Sequence, residues 1–123
     1  MAGAITVSTL KNDTGVFATQ NAMTGIAKAW VNFSGATINA SFNVSSVTAN
    51  ANGDYTINFA NAMPSATYAI IGTTSRVSTD AYFNIIMKNN SRTDTASLCN
   101  VIAKNSTGGL EASIPTFVAI FSS

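Results

Sequence analysis

The residue types that most often perform acid–base chemistry are scarce in this chain, and those present fall in predicted turns. Histidine is absent, and the five acidic residues are Asp13, Asp54, Asp80, Asp94 and Glu111. An Asp in such a position commonly closes a turn, whereas a glycosidase needs two carboxylates facing each other across a cleft. Asp54 and Asp94 could offer oxygens to a cation, but the spacing of a calcium loop is missing. We therefore predict a protein that is not an enzyme, with no catalytic residue, metal site or cofactor.

Side chains suited to binding are better represented than side chains suited to catalysis. Aromatic rings stack on sugar rings, and Arg side chains donate hydrogen bonds to hydroxyl groups. Arg76 and Arg92 lie in predicted loops, where the binding residues of β scaffolds concentrate, and Tyr82 follows the first of these loops. We take Arg76, Tyr82 and Arg92 as candidate ligand-binding residues. The alternative for Tyr82 is a core or interface position in which the hydroxyl reaches a partner group.

The only tryptophan lies on the polar side of an alternating segment. In residues 28–33, Ala29, Val31 and Phe33 point one way, while Lys28, Trp30 and Asn32 point the other. Alternation bounded by glycines is typical of a half-buried β-strand. A tryptophan among polar neighbours suggests that this second face meets another subunit, a packed loop or a ligand.

We therefore assign Trp30 to a candidate subunit interface. Tyr68 is the second candidate for this role, with burial in the core as its alternative.

Composition narrows the class of protein further. The chain has 123 residues, is 46% hydrophobic and only 9% charged, and carries a net charge of +1. A single domain is expected at this length, and low charge suits a subunit that buries surface against copies of itself, or a surface that meets sugars. The balance argues against a nucleic-acid partner, and no run approaches the roughly 20 apolar residues of a membrane span. Cys99 is the only cysteine, and its apolar strand pattern predicts a buried, inert thiol.

The elements that must position these side chains are short strands separated by turn residues. Alternating or apolar runs bounded by Gly, Pro, Asn and Ser occur at residues 4–10, 28–33, 37–45, 55–59, 68–73, 82–87, 97–103 and 117–121. Such spacing predicts an all-β, antiparallel, jelly-roll-like sandwich of about seven or eight strands. We divide the chain into an N-terminal strand or arm with a connector, residues 1–27, and a sandwich domain, residues 28–123. The segment 16–26 is either an ordered connector or an arm that swaps onto a neighbouring subunit.

Four finer expectations concern individual strands. The return strand is expected to bury Tyr55, Ile57 and Phe59, with its hairpin closed at Asn52-Gly53. Residues 37–45 should place Ile38, Ala40, Phe42 and Val44 on one core face. A bulge is expected near Ser45-Ser46. The apolar run 68–73 suggests a strand covered on both faces.

Several segments in order resemble the C-terminal domains of bacteriophage tail-fibre and related virion proteins. They are residues 25–33, residues 41–47, residues 53–59 and Ala62-Met63-Pro64, and the similarity covers about residues 5 to 72. In that family a strand like 28–33 is followed by strands like 41–47 and 53–59 with similar gaps. The second half of the chain is not part of the resemblance.

The resemblance implies a β-sandwich that assembles as a homotrimer on a virion, made in the bacterial host cytoplasm without a signal peptide. It implies a tail-fibre head domain that binds a host surface glycan or protein and contacts other virion proteins, with neither a nucleic-acid partner nor membrane insertion. Fibre proteins usually carry a long shaft before such a domain, so the chain is either a fragment or a small protein attached differently. The alternative function is therefore a capsid decoration or tail-accessory protein with a purely structural role.

Overall fold

The computed structural model describes residues 3–12, 15–18, 25–75, 85–104, 109 and 115–122, and it confirms the all-β prediction. These residues form ten strands. The strands are β1 Thr9–Asn12, β2 Gly15–Ala18, β3 Ala29–Ser34, β4 Thr37–Phe42, β5 Val44–Ala51, β6 Asp54–Phe59, β7 Tyr68–Thr74, β8 Ile85–Lys88, β9 Leu98–Lys104 and β10 Pro115–Ser122. The first two form a separate antiparallel hairpin. The other eight form the predicted sandwich.

The sandwich consists of two four-stranded halves. The first sheet has the order β4-β3-β10-β7 and the second sheet has the order β8-β9-β6-β5, with all pairs antiparallel. Only the pairing of Thr73 with Ile85 joins β7 to β8, so the sheet folds over at this point. Strand β10 returns beside β7 after the run β7-β8-β9, which is the Greek-key order found in most β-sandwiches.

The core lies between the two inner faces and follows the predicted alternation. In β3, Ala29, Val31 and Phe33 are buried while Trp30 is exposed. In β6, Tyr55, Ile57 and Phe59 are buried, as predicted, and their aromatic rings connect the sheets. The Phe33 ring contacts Tyr55 edge to face at 5.0 Å, and Phe59 contacts Tyr68 at 5.9 Å. Such pairs add about 1 kcal/mol each beyond simple burial.

The prediction of a buried thiol is confirmed. Cys99 in β9 is fully buried, and Val101 and Ala103 beside it on the same face are buried too. Burial, with the nearby charge of Asp94, raises the pKa of the Cys99 thiol to about 12. The thiol is therefore protonated and inaccessible near neutral pH.

The prediction that Ala40 and Phe42 belong to the core was wrong. Ala40 pairs with Asn32, but Ile38 pairs with Phe33, so Asn39 is an extra residue on β4. An extra residue reverses the face of every side chain beyond it because side chains alternate along a strand. Ile38 consequently packs against the core, whereas Phe42 is exposed.

The single strand predicted for residues 37–45 is two strands, because the chain changes direction at Asn43. This residue has a φ of 54°, a left-handed conformation that Asn tolerates better than most residues. Its side-chain amide donates to the carbonyl oxygens of Lys28 and Asn61, both at 3.1 Å. Its side-chain oxygen accepts from the Asn61 backbone N–H at 2.8 Å. These bonds hold the chain where it passes from the first sheet to the second.

Two turn predictions are confirmed. Gly53 closes the β5–β6 hairpin with a φ of 64°, and the register shifts between Ala49 and Ala51, as in a turn closed by a glycine bulge. A second shift falls between Val44 and Ser46. It accounts for the predicted parity change that buries Val47.

The expectation that β7 is covered on both faces was wrong for this chain. Ile71 is 62% exposed, and only the face of β7 that carries Tyr68 and Ile70 packs on the core. The inner position Gly72 allows close packing, because a Cβ there would lie 2.8 Å from the Phe117 carbonyl oxygen and 2.9 Å from an Ile86 methyl carbon. A larger residue at this position would therefore have to displace the Phe117 backbone and the Ile86 side chain.

The contacts of Asn43 generate a testable prediction. Asn43→Ala removes three hydrogen bonds to the main chain and leaves alanine in a left-handed conformation, so we expect the free energy of unfolding to fall by about 2 to 3 kcal/mol. Asn43→Gly loses the same hydrogen bonds without the strain and should cost about 1 kcal/mol less. Urea unfolding at one protein concentration measures both variants. Equal stability of the two variants would show that the left-handed backbone carries no cost here.

Candidate functional site

The outer face of the first sheet carries a row of apolar side chains across all four strands. Trp30 in β3 lies opposite Phe42 in β4 on one side and opposite Ala119 in β10 on the other. Ala119 in turn lies opposite Ile71 in β7. At a strand spacing of about 4.8 Å this row extends over roughly 14 Å. Phe117 lies beside it on β10, between Asn32 and Thr73.

We define the apolar face as Trp30, Phe42, Ile71 and Phe117 with the small residues Ala40 and Ala119 between them. The exposed fractions are 42% for Trp30, 54% for Phe42 and 44% for Phe117. A groove of about 390 Å³ runs along the members of this face other than Phe42, with Asn32 and Thr73 as its polar lining. The groove exists because Ala119 and Ala40 leave space between large neighbours.

No charged residue interrupts this sheet. The strands Ala29–Ser34, Thr37–Phe42, Tyr68–Thr74 and Pro115–Ser122 contain neither Lys, Arg, Asp nor Glu. Natural sheets usually protect exposed edges and faces with such charges, and large exposed apolar patches mark interaction sites. The arrangement can therefore bind an apolar surface without burying an unpaired charge.

The two residues predicted at an interface occupy different environments. Trp30 points away from the core, as predicted, and lies within the apolar face. Tyr68 is half-buried, and its hydroxyl donates to the carbonyl oxygen of Leu98 at 2.6 Å, which joins the two sheets. Burial raises the pKa of this hydroxyl well above its ordinary value. These contacts of Tyr68 lie inside the subunit, and its assignment to an interface stays a prediction.

Arg92, predicted to bind a ligand, is paired within the subunit. Its guanidinium donates to both carboxylate oxygens of Asp54, at 3.0 to 3.2 Å, although the side chain is still 42% exposed. The other two predicted ligand-binding residues, Arg76 and Tyr82, lie outside the described residues. The role of all three residues in ligand binding stays a prediction.

Asp54 and Asp94 are structural anchors, a role that their turn positions did not reveal. Asp94 is almost fully buried and accepts from the Asn100 backbone N–H at 2.8 Å, while Lys88 lies 2.9 Å from its second oxygen. Asn89 donates to Asp54 at 3.1 Å. Within the residues that the structure describes, no group of three or more His, Cys, Asp or Glu side chains could hold a metal ion. Asp54 thus fixes the loop after β8 to the β5–β6 hairpin, and Asp94 fixes the same loop to β9.

Three members of the apolar face, Phe42, Ile71 and Phe117, were missed from the sequence. The outward direction of Phe42 depends on the bulge at Asn39, and no residue pattern predicted that bulge. Ile71 belongs to a continuous apolar run, and Phe117 lies in the equally apolar run 117–121, so neither pattern shows which side chains face outward.

The Asp54 contacts predict a pH dependence of stability. Burial alone would raise the pKa of Asp54, but hydrogen bonds from Arg92, Asn50 and Asn89 and the Arg92 charge hold it below its usual value. The stabilisation is therefore present above the unfolded pKa of about 3.9 and is lost as the pH falls through the folded pKa. We expect Asp54→Asn to lower the free energy of unfolding by about 1 kcal/mol at pH 7.

Urea unfolding of Asp54→Asn and the unchanged protein at neutral and acid pH measures this effect. The difference in the free energy of unfolding between the two proteins should shrink below about pH 4. In the Arg92→Ala background, the Asp54→Asn substitution should cost much less at pH 7. A difference that stays constant down to pH 2 would contradict the assignment of the stabilisation to the ionised carboxylate.

Comparisons of the chain with protein-family models, with curated proteins and with solved structures found no match. In the described part of the chain, no helix has the length and apolar character needed to cross a membrane. What the protein does is therefore argued from its residues and from the geometry of the apolar face.

Proposed function

We propose that the chain is a structural subunit of a bacteriophage virion, of the tail-fibre head type, which assembles as a homotrimer and binds a host surface receptor, a glycan by preference. The main support for this proposal is the uncharged apolar face. The second support is that strands β3, β5 and β6 of the same sandwich contain segments that resemble tail-fibre domains. A surface of this kind serves association, since it offers contact area rather than reactive groups.

Self-association is the role that the apolar face supports best. Subunits of obligate assemblies bury interfaces with a composition close to that of a protein core, and Trp and Phe are enriched in such interfaces. Trp30 lies in the row of outward side chains, between Phe42 and Ala119. Residues near the centre of an interface tend to dominate its binding energy, so Trp30 is the side chain to remove.

We expect Trp30→Ala to give a folded protein that dissociates to monomers. Loss of one such anchor costs about 2 kcal/mol or more at each interface, and sedimentation at several concentrations measures the change. Met87→Ala is the matched control, because Met87 is exposed to a similar extent, 45%, but lies on β8 of the second sheet. An unchanged trimer for Trp30→Ala would refute the interface role of Trp30.

The proposed receptor binding is supported by the candidate ligand-binding residues in the predicted loops. Tail-fibre head domains are expected to vary where they meet the host, and Arg76 and Tyr82 fall in the half of the chain outside the resemblance. Arg92 is a less clean probe of binding than Arg76, since Arg92→Ala also breaks the contact with Asp54. Cell-binding assays should therefore use Arg76→Ala first, with the oligomeric state checked in parallel.

Antibody labelling of purified phage particles in the electron microscope tests the placement on the virion. The proposal predicts label at the tail tip or at the fibre ends. Label spread over the head would contradict it and would support a capsid decoration protein instead. Unlabelled particles, with a positive control for a known virion protein, would contradict both virion roles.

A further inference from the structure

The apolar face alone is smaller than a stable protein interface. Its large side chains expose about 400 Å², judged from their exposed fractions, whereas one partner in a standard interface buries about 800 Å². A further apolar surface must therefore contribute if the face binds another copy of the chain.

The N-terminal arm, residues 3–12, is a second exposed apolar surface among the described residues. Ile5 is 92% exposed and Leu10 is 56% exposed. Strands β1 and β2 form a sheet of their own, and among the described elements β1 has extensive contact with β2 alone. A two-stranded hairpin is at best marginally stable without packing. The arm is thus an apolar element whose exposed side chains lie away from the core of its own subunit.

We propose that the N-terminal arm of one copy packs on the apolar face of the next copy, so that the arms connect the subunits head to tail. This inference rests on the proposed homotrimer and adds which surfaces meet. Every chain has one arm and one apolar face, so each subunit places its arm on one neighbour and binds the arm of another. A head-to-tail contact of this kind closes into a ring when the rotation between subunits permits.

The charge and the length of the N-terminal arm both suit binding to the apolar face. The arm has a single charged residue, Lys11, and the strands of the face have none, so contact requires little desolvation of charge. An extended segment of ten residues reaches about 33 Å, more than twice the roughly 14 Å width of the apolar row. The groove beside Ala119 can accept an aliphatic side chain such as Ile5.

Cross-linking between engineered cysteines tests which surfaces meet. The single native thiol, Cys99, is fully buried, so new surface cysteines react alone. Ile5→Cys and Ile71→Cys are placed on separate chains, which are co-expressed and treated with a short bismaleimide. We expect cross-linked dimers at least tenfold above those from either variant alone, because neighbouring sites in one assembly have an effective concentration near the millimolar range.

Ile5→Cys co-expressed with Met87→Cys is the matched control, since Met87 lies on the second sheet, and it should give only background cross-linking. In a chain that carries both Ile5→Cys and Ile71→Cys, cross-linking within the chain but not between chains would overturn the exchange. No cross-link in a protein that sediments as a trimer would overturn the arm contact and leave the proposed trimer intact. A monomeric mass for the unmodified protein would overturn both, whereas the virion labelling would still test the proposed location.

Discussion

The constraint on which this structure depends is that one sheet of the sandwich has two apolar faces. The inner face of the first sheet contributes Val31, Phe33 and Ile120 to the core, and the outer face exposes Trp30 and Phe42 beside it. Exposure of such an apolar surface to water costs about 25 cal/mol for each Å². A protein built in this way would gain stability from covering the outer face, in addition to the stability of its own core.

Several local features make sense under this constraint. The Asn39 bulge places Phe42 outside next to Trp30, and Ala119 keeps space between Trp30 and Ile71. The charged residues that the structure describes in the sandwich lie elsewhere, for example in the contact between Arg92 and Asp54 near the β5–β6 hairpin. The outer face of the first sheet is thereby left free of charge, while the loops at the hairpin end are held by ion pairs and amide hydrogen bonds.

The sequence predicted those elements whose side-chain alternation was uninterrupted. Strands β3 and β6 and their buried residues followed from period-two patterns, and the bulge before Val47 followed from the break in one such pattern. The turn at Gly53 followed from the Asn52-Gly53 pair. Prediction failed at β4, because a bulge reverses the faces without changing the composition of the strand. It also failed for Asp54, because its partners Asn89 and Arg92 come from a distant part of the chain. The sequence predicted only Trp30 of the candidate site, because Phe42 was expected on the core face and Ile71 in a strand covered on both faces.

The fluorescence of Trp30 tests the central claim most directly, because the chain contains one tryptophan and that residue lies in the apolar face. If the face is an interface between subunits, emission should be blue-shifted and protected from acrylamide in the assembled protein. Both properties should be lost together with the oligomeric mass as the protein is diluted. Emission that stays red-shifted and fully quenchable at every concentration, in a protein that sediments as a trimer, would contradict the claim that this face is covered.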